Sequence, residues 1–203
     1  YLSNFGFGRS VCLDCFLQDD GLLPDPTWKM NNLNFGWFKG DTVNLGVGQG
    51  YMSATPIQLA YYSAIIANKG ILNKFSFVQN ENSESKEIFY SENIDDDDWD
   101  KIHQSMIGVI ENPKGTAGRL RDLKDYVIAA KSGTVELVST ETKEDYKIIR
   151  EVEGKRDHAI IIAFGPMPNP KYAISVVIEN GESGGSVAGP VAIEVLNTLI
   201  KND

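Results

Sequence analysis

Tyr126-Val127-Ile128-Ala129-Ala130-Lys131-Ser132-Gly133-Thr134-Val135-Glu136 is the stretch on which the fold turns. Its first half is apolar and β-branched, the texture of a strand. Two further runs of that texture follow, at 158–164 and 172–179. The later two are joined by Gly165-Pro166-Met167-Pro168-Asn169-Pro170, the composition of a hairpin loop. The charged stretch 139–156 predicts a long excursion between the first strand and the second.

Helices bracket these strands. Thr55-Pro56-Ile57-Gln58 combines a capping box with proline at the first helical position, and Gly70 supplies a stop. Ala60, Tyr61, Ala64 and Ile65 recur at helical spacing between them, which predicts a helix over 55–69. Asp95 to Asp98 then precede Trp99, Ile102, Met106, Val109 and Ile110, apolar positions stepping by three or four. Acid at a helix N-terminus suits the dipole, so this run reads as a solvated helix start more simply than as a cation site. Asn112-Pro113 ends that helix. Val191, Val195, Leu196 and Leu199 place a last apolar helix over 187–201. Three strands with helices before and after predict an α+β fold, an antiparallel sheet flanked by helices. Such a sheet is small for 203 residues, which predicts a missing part upstream. Residues 1–50 are rich in Gly, Asn, Asp and aromatics and read as loops with short ordered pieces. The polar stretch 73–94 carries a weak strand signal at 75–78.

Composition narrows the function. A chain of 203 residues suffices for one domain with a core, here 1–203. The net charge of −9 and the lack of a Lys/Arg cluster exclude a phosphate-binding face, so no nucleic-acid partner is expected. No apolar run reaches bilayer length. The chain opens at Tyr1-Leu2-Ser3-Asn4 without an initiating Met, so it is expected to be a piece of a longer protein, any anchor lying upstream. Cys12 and Cys15 are the only cysteines, and free thiols, a local disulfide or half of a metal site all fit a C-x-x-C pair. His103 and His158 show no metal spacing relative to them.

The chemistry concentrates on Lys131-Ser132-Gly133-Thr134. Side chains alternate along a strand, so Ser132 and Thr134 share a face and two hydroxyls can serve one carboxylate. Gly133 lets a ligand backbone approach closely. An exposed strand edge can pair with an extended peptide. Lys131 adds the positive charge an anionic ligand terminus needs.

Other segments make this tetrapeptide more than a chance match. Gly46-Val47-Gly48-Gln49-Gly50-Tyr51 runs into Ala54-Thr55-Pro56-Ile57-Gln58; Asn112-Pro113-Lys114-Gly115-Thr116-Ala117 precedes the strand, and Arg156-Asp157-His158-Ala159 opens the next. Alone, the three glycines would suit a phosphate cradle or a tight loop before a capped helix, and His158 would suit packing better than catalysis. In this order and spacing, from about Phe5 to Ile200, the segments resemble the penicillin-binding proteins, whose Lys-Ser/Thr-Gly strand complements S-x-x-K and S-x-N motifs. Ala129-Ala130-Lys131-Ser132-Gly133-Thr134 is most similar to the elongation-type class B members, penicillin-binding protein 2 among them.

The resemblance implies the C-terminal portion of one transpeptidase domain of the serine β-lactamase/D,D-peptidase fold, with no cofactor and no metal. In such enzymes a serine attacks the penultimate D-Ala carbonyl of a peptidoglycan stem peptide and releases the terminal D-Ala. A neighbouring stem's amine then resolves the acyl-enzyme into a cross-link. Ser132 and Thr134 would hold the carboxylate of substrate or β-lactam, and the Thr134 N–H would be one oxyanion donor. Lys131 would set the electrostatics of the cleft, and Gly133 would leave room for the ligand. The implied parent is anchored in the inner membrane, works in the periplasm, and partners a membrane glycan polymerase and elongation-complex proteins. A non-catalytic module binding peptide or β-lactam, and a β-lactamase or sensor on the same fold, are the alternatives.

Two features depart from the pattern. Ser83-Glu84-Ser85-Lys86 and Ser91-Glu92-Asn93 spell the missing motifs literally, but in a polar stretch with no apolar helix to bury the lysine and lower its pKa. They read as chance matches, so the nucleophile is expected outside this chain and the isolated chain is expected to be inactive. The family carries a short Gly/Pro-containing loop where Cys12 and Cys15 stand.

Overall fold

The computed structural model describes residues 2–12, 14–72, 75–78, 88–89, 94–137, 143–152 and 154–203. Its first fifty residues are more regular than their composition predicts. Asp25 caps α1 (Pro26–Leu33) by accepting from the Trp28 N–H, with Pro26 in the first turn. In α2 (Lys39–Gly46), Asp41 reaches back to the Phe38 N–H at 2.7 Å. Buried Lys29 of α1 pairs with Asp41 at 2.6 Å and locks the two short helices together. Each is only eight residues long, too short for apolar periodicity to show in the sequence.

The predicted capping box forms at α3 (Pro56–Ala67): Gln58 N–H donates to Thr55 Oγ1, and Thr55 N–H donates to Gln58 Oε1. The same glutamine is fully buried, and its Nε2 donates to the carbonyls of Gly6, Arg9 and Asp20 at 3.1, 3.0 and 2.8 Å. It therefore ties the N-terminal loops to the helix as well as starting it. A short antiparallel pair, β1 (Ile71–Leu72) and β2 (Ile88–Phe89), follows. In the predicted weak strand at 75–78, only Phe75 makes a bridge, to Cys12. Asp95 caps α4 (Asp96–Glu111) by accepting from the Asp98 N–H at 2.9 Å, so the acidic run is a helix start.

The main sheet contains β3 (Ala129–Val135), β4 (His158–Gly165) and β5 (Tyr172–Ile178) in the order β3-β4-β5, all antiparallel. Between β3 and β4 the predicted excursion carries a helix of its own, α5 (Lys143–Ile149). The last helix, α6 (Gly189–Lys201), is entered through a π-helical turn at Gly184–Ala188. On one face of the sheet Ile66 of α3 and Trp99 and Met106 of α4 pack with Ala129, Ile162 and Phe164. On the other, Ala192, Ile193 and Leu196 of α6 pack with Ile128, Ala130, Ile161 and Ala163. Buried on both faces, β4 reads as an unbroken apolar run without polar alternation. Each such Ile or Leu contributes about 1.5–3 kcal/mol on burial. Helices cover both faces of an antiparallel sheet, as the sequence predicts. Among the described residues, no helix is long and apolar enough to cross a membrane.

Candidate active site

Among the described residues, β3 stands at the edge of its sheet, bonded to β4 on one side only. The direction of its backbone groups follows from two hydrogen bonds. Gln49 Nε2 donates to the Thr134 carbonyl at 3.2 Å, so that carbonyl points away from β4. The N–H and C=O of one extended residue point to the same side, so the Thr134 N–H faces outward too. Two residues earlier the pattern repeats: the Lys131 ammonium donates to the Ser132 carbonyl. Lys131, Gly133 and Thr134 are exposed and Ser132 half-buried.

Ser132 and Thr134, two residues apart on β3, share one face as strand alternation requires. Ser132 Oγ lies 2.8 Å from Thr116 Oγ1, and the Thr134 hydroxyl donates to the Glu182 carbonyl at 3.2 Å. A Cβ on Gly133 would meet Ile160 Cβ at 3.7 Å, an ordinary contact. Against β3 and β4 the crowded glycine is Gly184, whose Cβ would fall 2.1 Å from the Ile160 carbonyl and 2.5 Å from that of Gly133. A bare backbone at 184 is what lets the chain after β5 lie against β3.

The segments that bracket the strand in sequence converge on it. Gly48 and Gly50 have φ of +76° and +81°, a left-handed pair that turns the loop and presents Gln49 to Thr134. The glycines thus form a tight loop. Pro24, Trp37, Asp41, Asn44, Gln49 and Tyr51 line a cavity of about 210 Å³ beside it. Thr116 arrives from the turn after α4, where a Cβ on Gly115 would fall 2.3 Å from the Val109 carbonyl. His158 Nδ1 accepts from the Asn180 N–H at 3.0 Å, a structural bond at the first residue of β4, which pairs with Val135.

Thr116 and Gln49 stood inside quoted motifs, but their contacts with β3 were not legible. Glu182 and its ion-pair partner Arg150, 2.9 Å away, carried no sequence signal. The stretches Ser83 to Lys86 and Ser91 to Asn93 lie outside the described residues.

Cys12 and Cys15 form a disulfide. Asp14, between them, accepts from the Ser76 hydroxyl at 2.7 Å and from the Phe77 and Val78 N–H groups at 2.9 and 2.7 Å. The Ser76 bond first, then the two amides, hold its carboxyl below the usual carboxylate range. Both sulfurs are consumed by the bond and the carboxylate by three donors, so of the three readings of the pair the disulfide is the one formed.

Comparison with known proteins gives a consistent result. The model of the penicillin binding protein transpeptidase domain matches residues 1–197. The peptidoglycan D,D-transpeptidase MrdA of Salmonella typhimurium is 35% identical over 206 residues, covering 98% of this chain and 33% of the relative. Among solved structures, Pseudomonas aeruginosa PBP2 in complex with WCK 5153 superimposes with a TM-score of 0.80 at 36% identity, over 98% of this chain and 42% of that one. PBP2 in its complex with MreC from Helicobacter pylori gives 0.79 at 30% identity, over 98% and 35%. The chain thus spans about one third of the length of its curated relatives. The fold, the motif order and these likenesses agree: the chain belongs to the penicillin-binding protein transpeptidase family.

Proposed function

We propose that this chain is the C-terminal portion of a single transpeptidase domain and supplies the substrate strand of a peptidoglycan D,D-transpeptidase. The intact enzyme joins stem peptides through a serine acyl-enzyme, and β-lactams acylate the same serine, which lies upstream of this chain. The observation that carries this reading is the outward-facing Thr134 N–H on an edge strand that also bears Lys131, Ser132 and Gly133. An outward amide at an open edge is where an oxyanion donor belongs, and losing one such donor costs on the order of 10²–10³ in rate. Ser132 and Thr134 hydroxyls hold the ligand carboxylate, Gly133 leaves room for its backbone, and Lys131 supplies positive charge and biases proton transfer.

The relatives' names support an elongation-type role. MreC is bound to PBP2 in the H. pylori structure, which supports an elongation-complex protein as a partner of the parent; a membrane glycan polymerase is the second partner proposed. The parent works in the periplasm, held by a membrane helix upstream.

Intact-mass spectrometry after incubation with a penicillin tests the reading. The full-length parent is expected to gain one penicilloyl adduct and the isolated chain none. An adduct on the isolated chain would place the nucleophile within residues 1–203 and overturn the assignment. A Ser132→Ala parent that acylates at the wild-type rate would remove the carboxylate role.

A further inference from the structure

Glu182 occupies a junction. It sits after β5 with φ of +62°, a left-handed conformation that a non-glycine residue adopts only when its surroundings hold it there. Its N–H donates to the Asp157 carbonyl at 2.8 Å, and its own carbonyl accepts from the Thr134 hydroxyl. Its carboxylate Oε2 meets the Arg150 guanidinium at 2.9 Å, while Oε1 is buried with no partner among the described residues. Asp157 in turn accepts from the Tyr146 hydroxyl of α5 at 2.7 Å. The excursion between β3 and β4 is thereby fastened to the residue that touches the substrate strand.

This arrangement has an electrostatic consequence. A negative charge stands on the residue in contact with Thr134, at the end of the strand read here as binding a carboxylate. Like charge disfavours an anionic ligand there, and Arg150 is the cation that offsets it. We propose that Arg150 is a positioning residue for anionic ligands: by neutralising Glu182 it keeps the Thr134 end of β3 receptive to a carboxylate. The inference rests on the functional reading above and names a determinant of its ligand class. Arg150 acts through Glu182 and does not touch the ligand.

The Arg150 side chain is 44% exposed and that of Glu182 26%, so solvent screens the pair and the effect is moderate. The test uses the full-length parent and two probes, a penicillin with its free carboxylate and the same penicillin blocked as its methyl ester. The non-covalent dissociation constant and the acylation rate are measured separately for each. Arg150→Gln is expected to weaken binding of the carboxylate form about 5-fold and leave the ester within about 2-fold, as a partly screened charge dictates. Arg150→Lys keeps the charge and is expected to bind like wild type. Adding Glu182→Gln to Arg150→Gln removes the opposed charge and is expected to restore the carboxylate form. Equal loss for both probes, or no restoration in the double variant, overturns the proposal. Should Arg150→Gln fail to fold, Glu182→Gln alone decides: it must tighten the carboxylate form relative to the ester, and an unchanged ratio overturns the proposal. A wild-type parent that no penicillin acylates overturns the functional reading and this inference with it. An acylated wild type with charge-blind variants overturns the inference alone.

Discussion

The hydroxyl oxygens of Thr116 and Ser132 lie 2.8 Å apart, although the residues come from a turn and a strand on different sides of the 3-10 segment Gly118–Leu123. One hydroxyl donates to the other, and this fixes the direction in which Ser132 presents its oxygen. A neutral bond of this kind contributes about 0.5–1.5 kcal/mol net. Thr116→Val in the full-length parent is expected to slow penicillin acylation about 2- to 10-fold, and Thr116→Ser to preserve it. Stopped-flow acylation measures this, and an unchanged Thr116→Val rate refutes the role.

Gln58 makes the largest single prediction for stability. Its buried amide serves three carbonyls from three loop positions. Gln58→Glu replaces the donating amide with a carboxylate that can only accept, which leaves those buried carbonyls unsatisfied, at about 3 kcal/mol or more. Urea unfolding should show it, with Gln58→Glu at least as destabilising as Gln58→Ala at neutral pH.

The disulfide closes a very short loop. Chain entropy for a loop this size is worth about 2 kcal/mol. Reduction, or Cys12→Ser with Cys15→Ser, is expected to lower stability by that amount and to leave penicillin acylation of the parent unchanged. Loss of acylation in the double variant would tie the N-terminal turn to the site.

Asp14 gives a pH dependence. Its folded pKa lies below 3.8, so its contribution is fully present above the unfolded value and is lost as pH falls through the folded one. The melting temperature should therefore drop as pH falls below the unfolded value of 3.8, and Asp14→Asn should shrink that drop. Thermal scans across this range check it, and superimposable curves for the two proteins count against the three-donor clamp.

Tyr146 titrates at the other extreme. Its hydrogen bond to Asp157, then burial, then the charges of Asp157 and Glu182 push its pKa up to about 12. The folded value is raised, so the stabilisation is present below the unfolded value of 10.0 and is lost as pH rises through the folded one. The difference in phenolate absorbance between wild type and Tyr146→Phe should appear near the upper value, and Asp157→Asn should bring it down towards the lower one.

The sheet and its long helices were legible because their signals are local. Thr55 and Gln58 announce a cap within four residues, Asp95 another, and the apolar, β-branched run 158–164 reads as a strand. The tetrapeptide Lys131 to Thr134 was legible because alternation along a strand is a local rule as well. What escaped was short or distant. The helices α1 and α2 are fixed by the Lys29–Asp41 pair, twelve residues apart, and no periodicity spans them. Gln49 reaches Thr134 across 85 positions and Glu182 reaches it across 48. A left-handed glutamate has no sequence signature, so the charge beside the strand had to be seen in three dimensions.

An open strand edge is ordinarily an invitation to self-association, since any extended chain can dock on it. Here two of the outward carbonyls are answered from within, that of Ser132 by Lys131 and that of Thr134 by Gln49, while their amides still face out. The rail is therefore polarised towards giving hydrogen bonds. A second copy of β3 would need to give and receive in equal measure and finds half of its partners taken, with an ammonium group in the way. A ligand rich in carbonyl and carboxylate oxygen finds the edge complementary, so the contacts that shape it for one class of guest also guard it against aggregation.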